Sequence, residues 1–419
     1  MSLSLLTDRM LIRAQAESTR YVLARVTAPM APARDDRLPV NVAFVLDRSG
    51  SMADERKFTL AREAVVEALQ MLRPSDRFSL IVYDTRIDVL MPSSLATAAA
   101  KRDALAALSD IGPRGGTNLA SGWLCGCEQI SEFIDRERVN RCLLLTDGLA
   151  NDGITDRAEL AHHAEELGRR GVATSTFGVG ADFDERLLRD MAHEAGGNFY
   201  FIESADQIPA MLTGELGEAL EVTLRHVSLV VRPNGGERVE TLNRFRSQRS
   251  DQGEYRVELG DMVSGQQIDV VLGVRFPLGE IGETASVVVE AQSSGEALAE
   301  STIGVQWTYA SHAENDRQPR NREVDREVAK LYAARARAEA TEANRDGAFD
   351  RARHVLEATS RRIREYAGDD RELRELARAL HHEVRSFAEA PMSPMALKSA
   401  VFAAERTSKG RDDYGRARR

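Results

Sequence analysis

The sequence predicts a doubly wound α/β domain with a mainly parallel sheet, inserted in an antiparallel β-sandwich and followed by a C-terminal helical region. Three observations support this prediction. From residue 40 to residue 220, apolar runs of strand length alternate with segments of helical spacing, which favours a parallel sheet with helices on both faces. Residues 221–309 change to an alternation of period two with Gly-containing turns. After Tyr309 the chain is rich in Ala, Arg and Glu, with apolar residues three or four apart.

The first 39 residues contain two runs typical of strands, Met10–Ala14 and Arg20–Thr27, and then a Pro-rich linker, Ala28–Pro39. The chain ends on either side of an inserted domain usually lie close together. We therefore predict that residues 1–39 join the β-sandwich formed by residues 221–313.

Residues 40–220 are predicted to form the α/β domain. The expected strands are Val42–Leu46, Phe78–Tyr83, Ile87–Leu90, Cys142–Leu145, Val172–Val179 and Asn198–Ile202. The expected helices are Phe58–Leu72, Ala96–Leu108, Asn118–Ile134, Asp156–Arg170, Phe183–Ala195 and Ala205–Ala219. Ile87–Leu90 is expected at an edge of the sheet.

The rest of the chain is predicted in three parts. The sandwich, 221–313, has expected strands at Leu224–Val231, Tyr255–Leu259, Gln267–Val274 and Ala285–Ala291. Residues 314–390 have three amphipathic stripes and are predicted to form three helices. Residues 391–419 are basic, contain Gly410 and Gly415, and are predicted to form a mobile tail.

Composition excludes several classes of protein. The chain has 419 residues and a net charge of −10, which disfavours a general nucleic-acid binder. Its three cysteines cannot form a disulfide framework and are interpreted as buried apolar residues. The N-terminus lacks the pattern of a signal peptide, and no apolar run approaches 18 residues, so no membrane insertion is expected. These features predict a cytoplasmic protein.

Three segments carry oxygen-bearing side chains directly after a predicted strand or a glycine pair. They are Asp47-Arg48-Ser49-Gly50-Ser51, Gly115-Gly116-Thr117 and Thr146-Asp147-Gly148. Each segment alone is ordinary turn or helix-cap chemistry. The carboxyl ends of parallel strands meet at one edge of a sheet, and Mg²⁺ prefers oxygen ligands in an octahedron. Together, and in this order, the segments predict a divalent-metal site.

This pattern closely resembles the metal-ion-dependent adhesion site of the von Willebrand factor A family, over roughly residues 40–220. The resemblance implies hydroxyl ligation by Ser49, Ser51 and Thr117. It also implies carboxylate ligation, direct or through water, by Asp47 and Asp147. The implied ion is Mg²⁺, or Mn²⁺ or Ca²⁺, and the implied partner is a protein that supplies an Asp or Glu to it. The wider layout resembles bacterial relatives of the inter-alpha-trypsin-inhibitor or calcium-activated-channel type.

Two other functions stay open at this point. The chain could be a regulatory subunit of a multi-protein machine such as an AAA+ ATPase assembly, or a metal-dependent hydrolase. It has no Walker A, His-Glu-x-x-His or Gly-x-Ser-x-Gly motif. His162, His163 and His193 are interpreted as surface or helix-terminal residues, and Asp84 and Asp152 as solvated turn residues. We therefore expect a non-enzymatic interaction module.

Overall fold

The computed structural model describes residues 1–31, 37–135, 137–235, 237–251 and 253–419, except the side chains of residues 298–300. The central part of the predicted linker, residues 32–36, lies outside the described residues. The described strands are β1 Ser2–Thr7, β2 Leu11–Arg13, β3 Ser18–Thr27, β4 Val40–Asp47, β5 Arg77–Tyr83, β6 Ile87–Leu95, β7 Val139–Thr146, β8 Ala173–Val179, β9 Phe199–Ile202, β10 Val222–Pro233, β11 Arg238–Thr241, β12 Arg246–Arg249, β13 Tyr255–Val263, β14 Gln267–Phe276, β15 Thr284–Ser293 and β16 Glu296–Ala310.

The described α-helices are α1 Lys57–Met71, α2 Ala98–Ser109, α3 Leu119–Ser131, α4 Arg157–Arg169, α5 Glu185–Glu194, α6 Ile208–Ala219, α7 His312–Arg317, α8 Arg322–Arg345, α9 Phe349–Ala367, α10 Arg371–Ala388 and α11 Pro394–Ser408. Short 3₁₀ segments, Gly50–Arg56 and Ala205–Gln207, precede α1 and α6.

The α/β unit contains a six-stranded sheet in the order β6-β5-β4-β7-β8-β9. Its neighbouring strands are parallel except the β5–β6 pair. Every residue of the central strands β4 and β7 is buried, as expected for parallel strands covered by helices on both faces. This unit and the sandwich around it confirm the predicted fold class.

Two glycines let α3 pack closely against the sheet. A Cβ on Gly122 would lie 2.5 Å from the Tyr83 ring, and one on Gly126 would lie 2.3 Å from Val45 Cγ2. Asn118 begins this helix, because its side chain accepts a hydrogen bond from the Ser121 N–H at 3.1 Å. The position of α3 therefore fixes the loop immediately before it.

The sandwich consists of two sheets with orders β1-β3-β14-β11 and β12-β13-β10-β15-β16-β2. The N-terminal strands lie in both sheets, and β3 pairs with β14 along ten residues. Sequence analysis did not predict β1, β11, β12 or β16. The edge strand β12 has the sequence Arg-Ser-Gln-Arg and is mostly exposed, so it has no apolar alternation to reveal it.

The helical region packs against the sandwich through α8. Val324, Val328 and Leu331 of this helix form one apolar cluster with Leu23 of β3 and Val271 of β14. Helices α9 and α10 pack on the opposite side of α8 around a separate core. The region therefore has its own apolar interior and a firm attachment to the β-sandwich.

The prediction of a mobile tail at residues 391–419 is wrong. Helix α11 spans Pro394–Ser408, and the buried side chains of Val401 and Phe402 belong to the core of the α/β unit. Phe402 meets the Phe199 ring edge to face, with ring centroids 6.1 Å apart. The basic composition suggested a solvated segment, but apolar side chains and acidic partners on the α/β unit order it.

Within the described residues, no helix is long and apolar enough to cross a membrane.

Candidate metal centre

The first loop of the candidate centre begins at Asp47, the last residue of β4. This carboxylate is fully buried and accepts hydrogen bonds from the Ser49 N–H (2.7 Å) and from Thr146 Oγ1 (2.6 Å). Burial raises the pKa of Asp47 to about 6, although the hydrogen bonds from Thr146 and Ser49 oppose that rise. The orientation of the carboxylate is thus fixed by the first loop and by the end of β7.

A chain of hydrogen bonds joins the first loop to the third. Ser49 Oγ lies 3.2 Å from Ser51 Oγ, and Ser51 Oγ donates to Asp147 Oδ1 at 2.6 Å. Ser49 and Asp147 are buried, whereas Ser51 is exposed. The structure therefore brings these three predicted ligands together, with Ser51 at the side open to solvent.

The second loop is held against the other two by backbone hydrogen bonds. Gly50 N–H donates to the Gly115 carbonyl at 3.1 Å, and Asn151 N–H donates to the Thr117 carbonyl at 3.2 Å. Asn151 Oδ1 in turn accepts the Thr117 N–H at 2.9 Å. Gly115 has φ of +72°, a left-handed conformation that glycine adopts readily. These bonds place Thr117 at the same edge of the sheet as the two aspartates.

Gly148 borders the space between the hydroxyls. A Cβ at this position would lie 3.3 Å from Thr117 Oγ1 and 3.8 Å from Ser51 Oγ. Only a residue without a side chain leaves this space open to both oxygens. Gly148 therefore keeps open the space next to the hydroxyls of Thr117 and Ser51.

The donor set suits a hard divalent cation. In the part of the chain that the structure describes, no three His, Cys, Asp or Glu side chains cluster as metal ligands. The candidate centre instead combines two carboxylates with three hydroxyls, at Asp47, Asp147, Ser49, Ser51 and Thr117. Mg²⁺, Mn²⁺ and Ca²⁺ accept such oxygen ligands, whereas zinc sites generally use Cys and His.

Sequence analysis missed two residues of this centre. Thr146 donates to Asp47, as described above, and only its position beside Asp147 could have suggested a role. Lys57, the first residue of α1, places its Nζ 2.8 Å from Asp147 Oδ2. Spacing along the chain does not reveal this contact, because a separate 3₁₀ segment turns Lys57 toward the third loop.

Asp84, which was interpreted as a solvated turn residue, is buried. Its carboxylate accepts a hydrogen bond from Arg114 Nε at 2.7 Å and lies 3.1 Å from Arg48 Nε. Burial alone would raise its pKa, but the hydrogen bonds from Arg114 and from the Arg86 backbone hold the pKa of Asp84 below its usual value. Arg48 and Arg114 also pair with Asp88, so these four side chains form a neutral cluster next to Gly115 of the second loop.

The three histidines of the α/β unit lie elsewhere. His162 and His163 face Glu165 and Glu159 on the surface of α4. His193 is near the end of α5, where burial lowers its pKa to about 4, with a further lowering by Lys409. The three histidines therefore lie on α4 and α5, and not on the loops that follow β4 and β7.

Residues 41–213 match the family model of the von Willebrand factor type A domain. The chain therefore contains a domain of this family. Two solved structures share the fold over nearly the whole chain, at 18% sequence identity each. One is a von Willebrand factor type A protein from Catenulispora acidiphila, with a TM-score of 0.69 over 91% of this chain and 89% of that chain. The other is the ArnB paralog VWA2 from Sulfolobus acidocaldarius, with a TM-score of 0.62 over 97% and 98%.

Curated proteins with similar sequences include the uncharacterized protein YfbK of Escherichia coli (strain K12), which is 24% identical over 295 residues, or 67% of this chain and 50% of YfbK. Human inter-alpha-trypsin inhibitor heavy chain H4 is 30% identical over 222 residues, or 52% of this chain and 24% of that protein. The matched part of this chain thus spans half or less of these relatives.

Proposed function

We propose that this chain, which contains a von Willebrand factor type A domain, is a non-enzymatic module that binds a protein partner through a divalent cation. The observation that supports this proposal is the hydrogen-bonded series Ser49–Ser51–Asp147, in which the exposed Ser51 hydroxyl joins the buried Ser49 hydroxyl to the buried Asp147 carboxylate. A cation held there would be within reach of a second protein.

Asp47, Ser49, Ser51, Thr117 and Asp147 are the residues that we propose to hold the ion. The ion is proposed to be Mg²⁺, with Mn²⁺ or Ca²⁺ as alternatives. When bound, such an ion supplies a positively charged position that an Asp or Glu carboxylate of the partner can complete. The three hydroxyls are neutral ligands, so they leave the charge of the ion less compensated than carboxylates would.

The surroundings of the centre support binding over catalysis. Metal-assisted hydrolysis usually needs a positioned general base beside the ion. Both aspartates are already engaged, Asp47 with Thr146 and Ser49, and Asp147 with Ser51 and Lys57. The neighbouring Asp84 is committed to its two arginines.

A cytoplasmic location is part of this proposal. Cys125, Cys127 and Cys142 are free, and the Cys127 and Cys142 thiols are buried in the core of the α/β unit. Free thiols in such a position suit a reducing compartment.

The test is affinity capture from the native cell with the immobilised full chain, in Mg²⁺ and in EDTA, followed by quantitative mass spectrometry. Ser51→Ala is the informative variant, because Ser51 is exposed and its removal leaves the buried Asp47 network in place. We expect partners that bind in Mg²⁺, are lost in EDTA, and bind Ser51→Ala at least tenfold more weakly.

Ser109→Ala is the matched control, since Ser109 is an exposed serine at the end of α2 whose hydroxyl donates only locally, to the Ala106 carbonyl and to Asp110. It should behave like the wild type. Capture that is equal in Mg²⁺ and EDTA, or that Ser51→Ala leaves intact, would contradict the proposed function.

A further inference from the structure

We propose that Lys57 is a built-in counter-ion of the candidate metal centre. Its positive charge lowers the affinity of the centre for a divalent cation. The inference rests on the proposed function and adds a residue that sets the affinity of the centre. The observation behind it is the ion pair between Lys57 Nζ and Asp147 Oδ2, 2.8 Å apart.

This ion pair is shielded from water. The side chain of Lys57 is 11% exposed and that of Asp147 is fully buried. Charges in such surroundings are screened much less than charges on the surface. The ammonium group therefore acts on any ion that shares Asp147, as well as on the carboxylate itself.

The backbone before Lys57 has an unusual conformation. Glu55 and Arg56 have φ of +52° and +60°, in the left-handed region that residues other than glycine rarely adopt. Two such residues in succession are strained, and strain of this kind collects at functional sites. Here it ends the 3₁₀ segment and starts α1 with Lys57 directed at the third loop.

Lys57 also lies beside the loop that follows β8. A Cβ on Gly180 would be 3.9 Å from Lys57 Nζ. The ammonium group thus lies between the ends of β7 and β8, next to the candidate ligands and inside the fold. A long side chain on a solvated helix surface would have no such fixed position.

The formal charges at the candidate centre show how Lys57 would affect a bound cation. Asp47 and Asp147 supply two formal negative charges, and Lys57 cancels one of them. In the neighbouring cluster, the positive charges of Arg48 and Arg114 compensate the negative charges of Asp84 and Asp88. A divalent ion in this centre therefore keeps a larger share of its charge for a partner carboxylate, and in return binds less tightly to the chain alone.

The test measures Mn²⁺ binding to the full chain by titration calorimetry and by the electron paramagnetic resonance signal of free Mn²⁺, with no partner present. Lys57→Met removes the charge and keeps most of the length. We expect its Mn²⁺ dissociation constant to fall by about tenfold to a hundredfold, the effect of removing one cation near a partly shielded divalent ion. Lys57→Arg keeps the charge and should stay within about threefold of the wild type.

Two further variants secure the result. Arg56→Met removes the same charge one residue earlier, on a side chain that is 71% exposed, and should leave Mn²⁺ binding nearly unchanged. Lys57→Gln retains a hydrogen-bond donor for Asp147 and replaces Lys57→Met if that variant does not fold.

Equal or weaker Mn²⁺ binding by the folded Lys57→Met or Lys57→Gln variant, relative to Arg56→Met, would overturn this inference and leave the proposed function standing. Failure of the wild type and of every variant to bind Mn²⁺ would overturn both.

Discussion

Arg411 provides the sharpest test of the ordered C-terminal segment. Its guanidinium group is 10% exposed and pairs with Glu218, which is 13% exposed, at the end of α6. Glu215, one turn earlier, is buried and accepts hydrogen bonds from Ser175 Oγ and Tyr200 OH, both at 2.6 Å. We predict that Arg411→Met destabilises the α/β unit, because it leaves Glu218 without its paired cation and leaves Glu215 with Arg141 alone.

The magnitude follows from burial. Removing one partner of a buried ion pair costs about 3–5 kcal/mol, because the remaining charge is left uncompensated. Glu218 also accepts a hydrogen bond from the Ala417 N–H at 2.8 Å, which the variant retains, so we expect the lower end of that range, about 3 kcal/mol. For a unit of this size, that loss corresponds to a fall of about 6–12 °C in the melting temperature.

The effect should depend on pH. Burial raises the pKa of Glu218 above its usual value even though Arg411 lowers it. Without Arg411 the folded-state pKa rises further above that of the unfolded chain. A group of this kind disfavours the folded state as the pH rises through its folded-state pKa. The destabilisation should therefore be smaller at pH 5 than at pH 8.

Differential scanning calorimetry and hydrogen exchange of the α6 amides measure the loss. Arg419→Met is the matched control, because Arg419 pairs with Glu221 on the same side but is 53% exposed, and such surface pairs contribute at most about 1 kcal/mol. In a Glu218→Gln background, Arg411→Met should cost clearly less. If Arg411→Met and Arg419→Met have the same small effect, the reasoning about an ordered C-terminal segment is refuted.

Three other predictions concern packing, protonation and metal. Gly126→Ala should destabilise by about 1–3 kcal/mol, because its Cβ would lie 2.3 Å from Val45 Cγ2. Gly217→Ala in α6 should stabilise by up to about 1 kcal/mol, because its Cβ would come no closer than 3.6 Å, to Met71 Cε. Urea unfolding that gives both variants the same sign would contradict this. Burial lowers the pKa of His193 to about 4, so between pH 6.5 and pH 4 only the unfolded chain takes up this proton. His193→Gln should therefore reduce the loss of unfolding free energy with falling pH by up to about 1.4 kcal/mol per pH unit. Parallel pH profiles of wild type and variant would count against it. Mg²⁺ at a hundredfold excess over its Kd should stabilise the wild type by about 2.7 kcal/mol, and Thr117→Ala should lose most of this shift in thermal unfolding; an undiminished shift would exclude Thr117 as a ligand.

The sequence predicted the α/β unit well because its signals are local. Strands β4 and β7 contain the continuous apolar runs Val42–Leu46 and Cys142–Leu145, and each strand ends at a polar residue of the candidate centre. The oxygen-bearing residues of the three loops could be named for the same reason, since each directly follows a strand or a glycine pair. Short polar edge strands such as β12 have no such signal, because little of their surface is buried.

What the sequence by itself determined is the order of elements, the alternation that selects the fold class, and the types of side chain at the ends of β4 and β7. The tertiary structure decided which distant charges meet. It brought Lys57 to Asp147, Arg48 and Arg114 to Asp84, and the basic C-terminal segment to the acidic end of α6. Ion pairs between distant elements leave no periodic pattern in a sequence, because their energy depends on burial and on direction, and the packed fold alone fixes both.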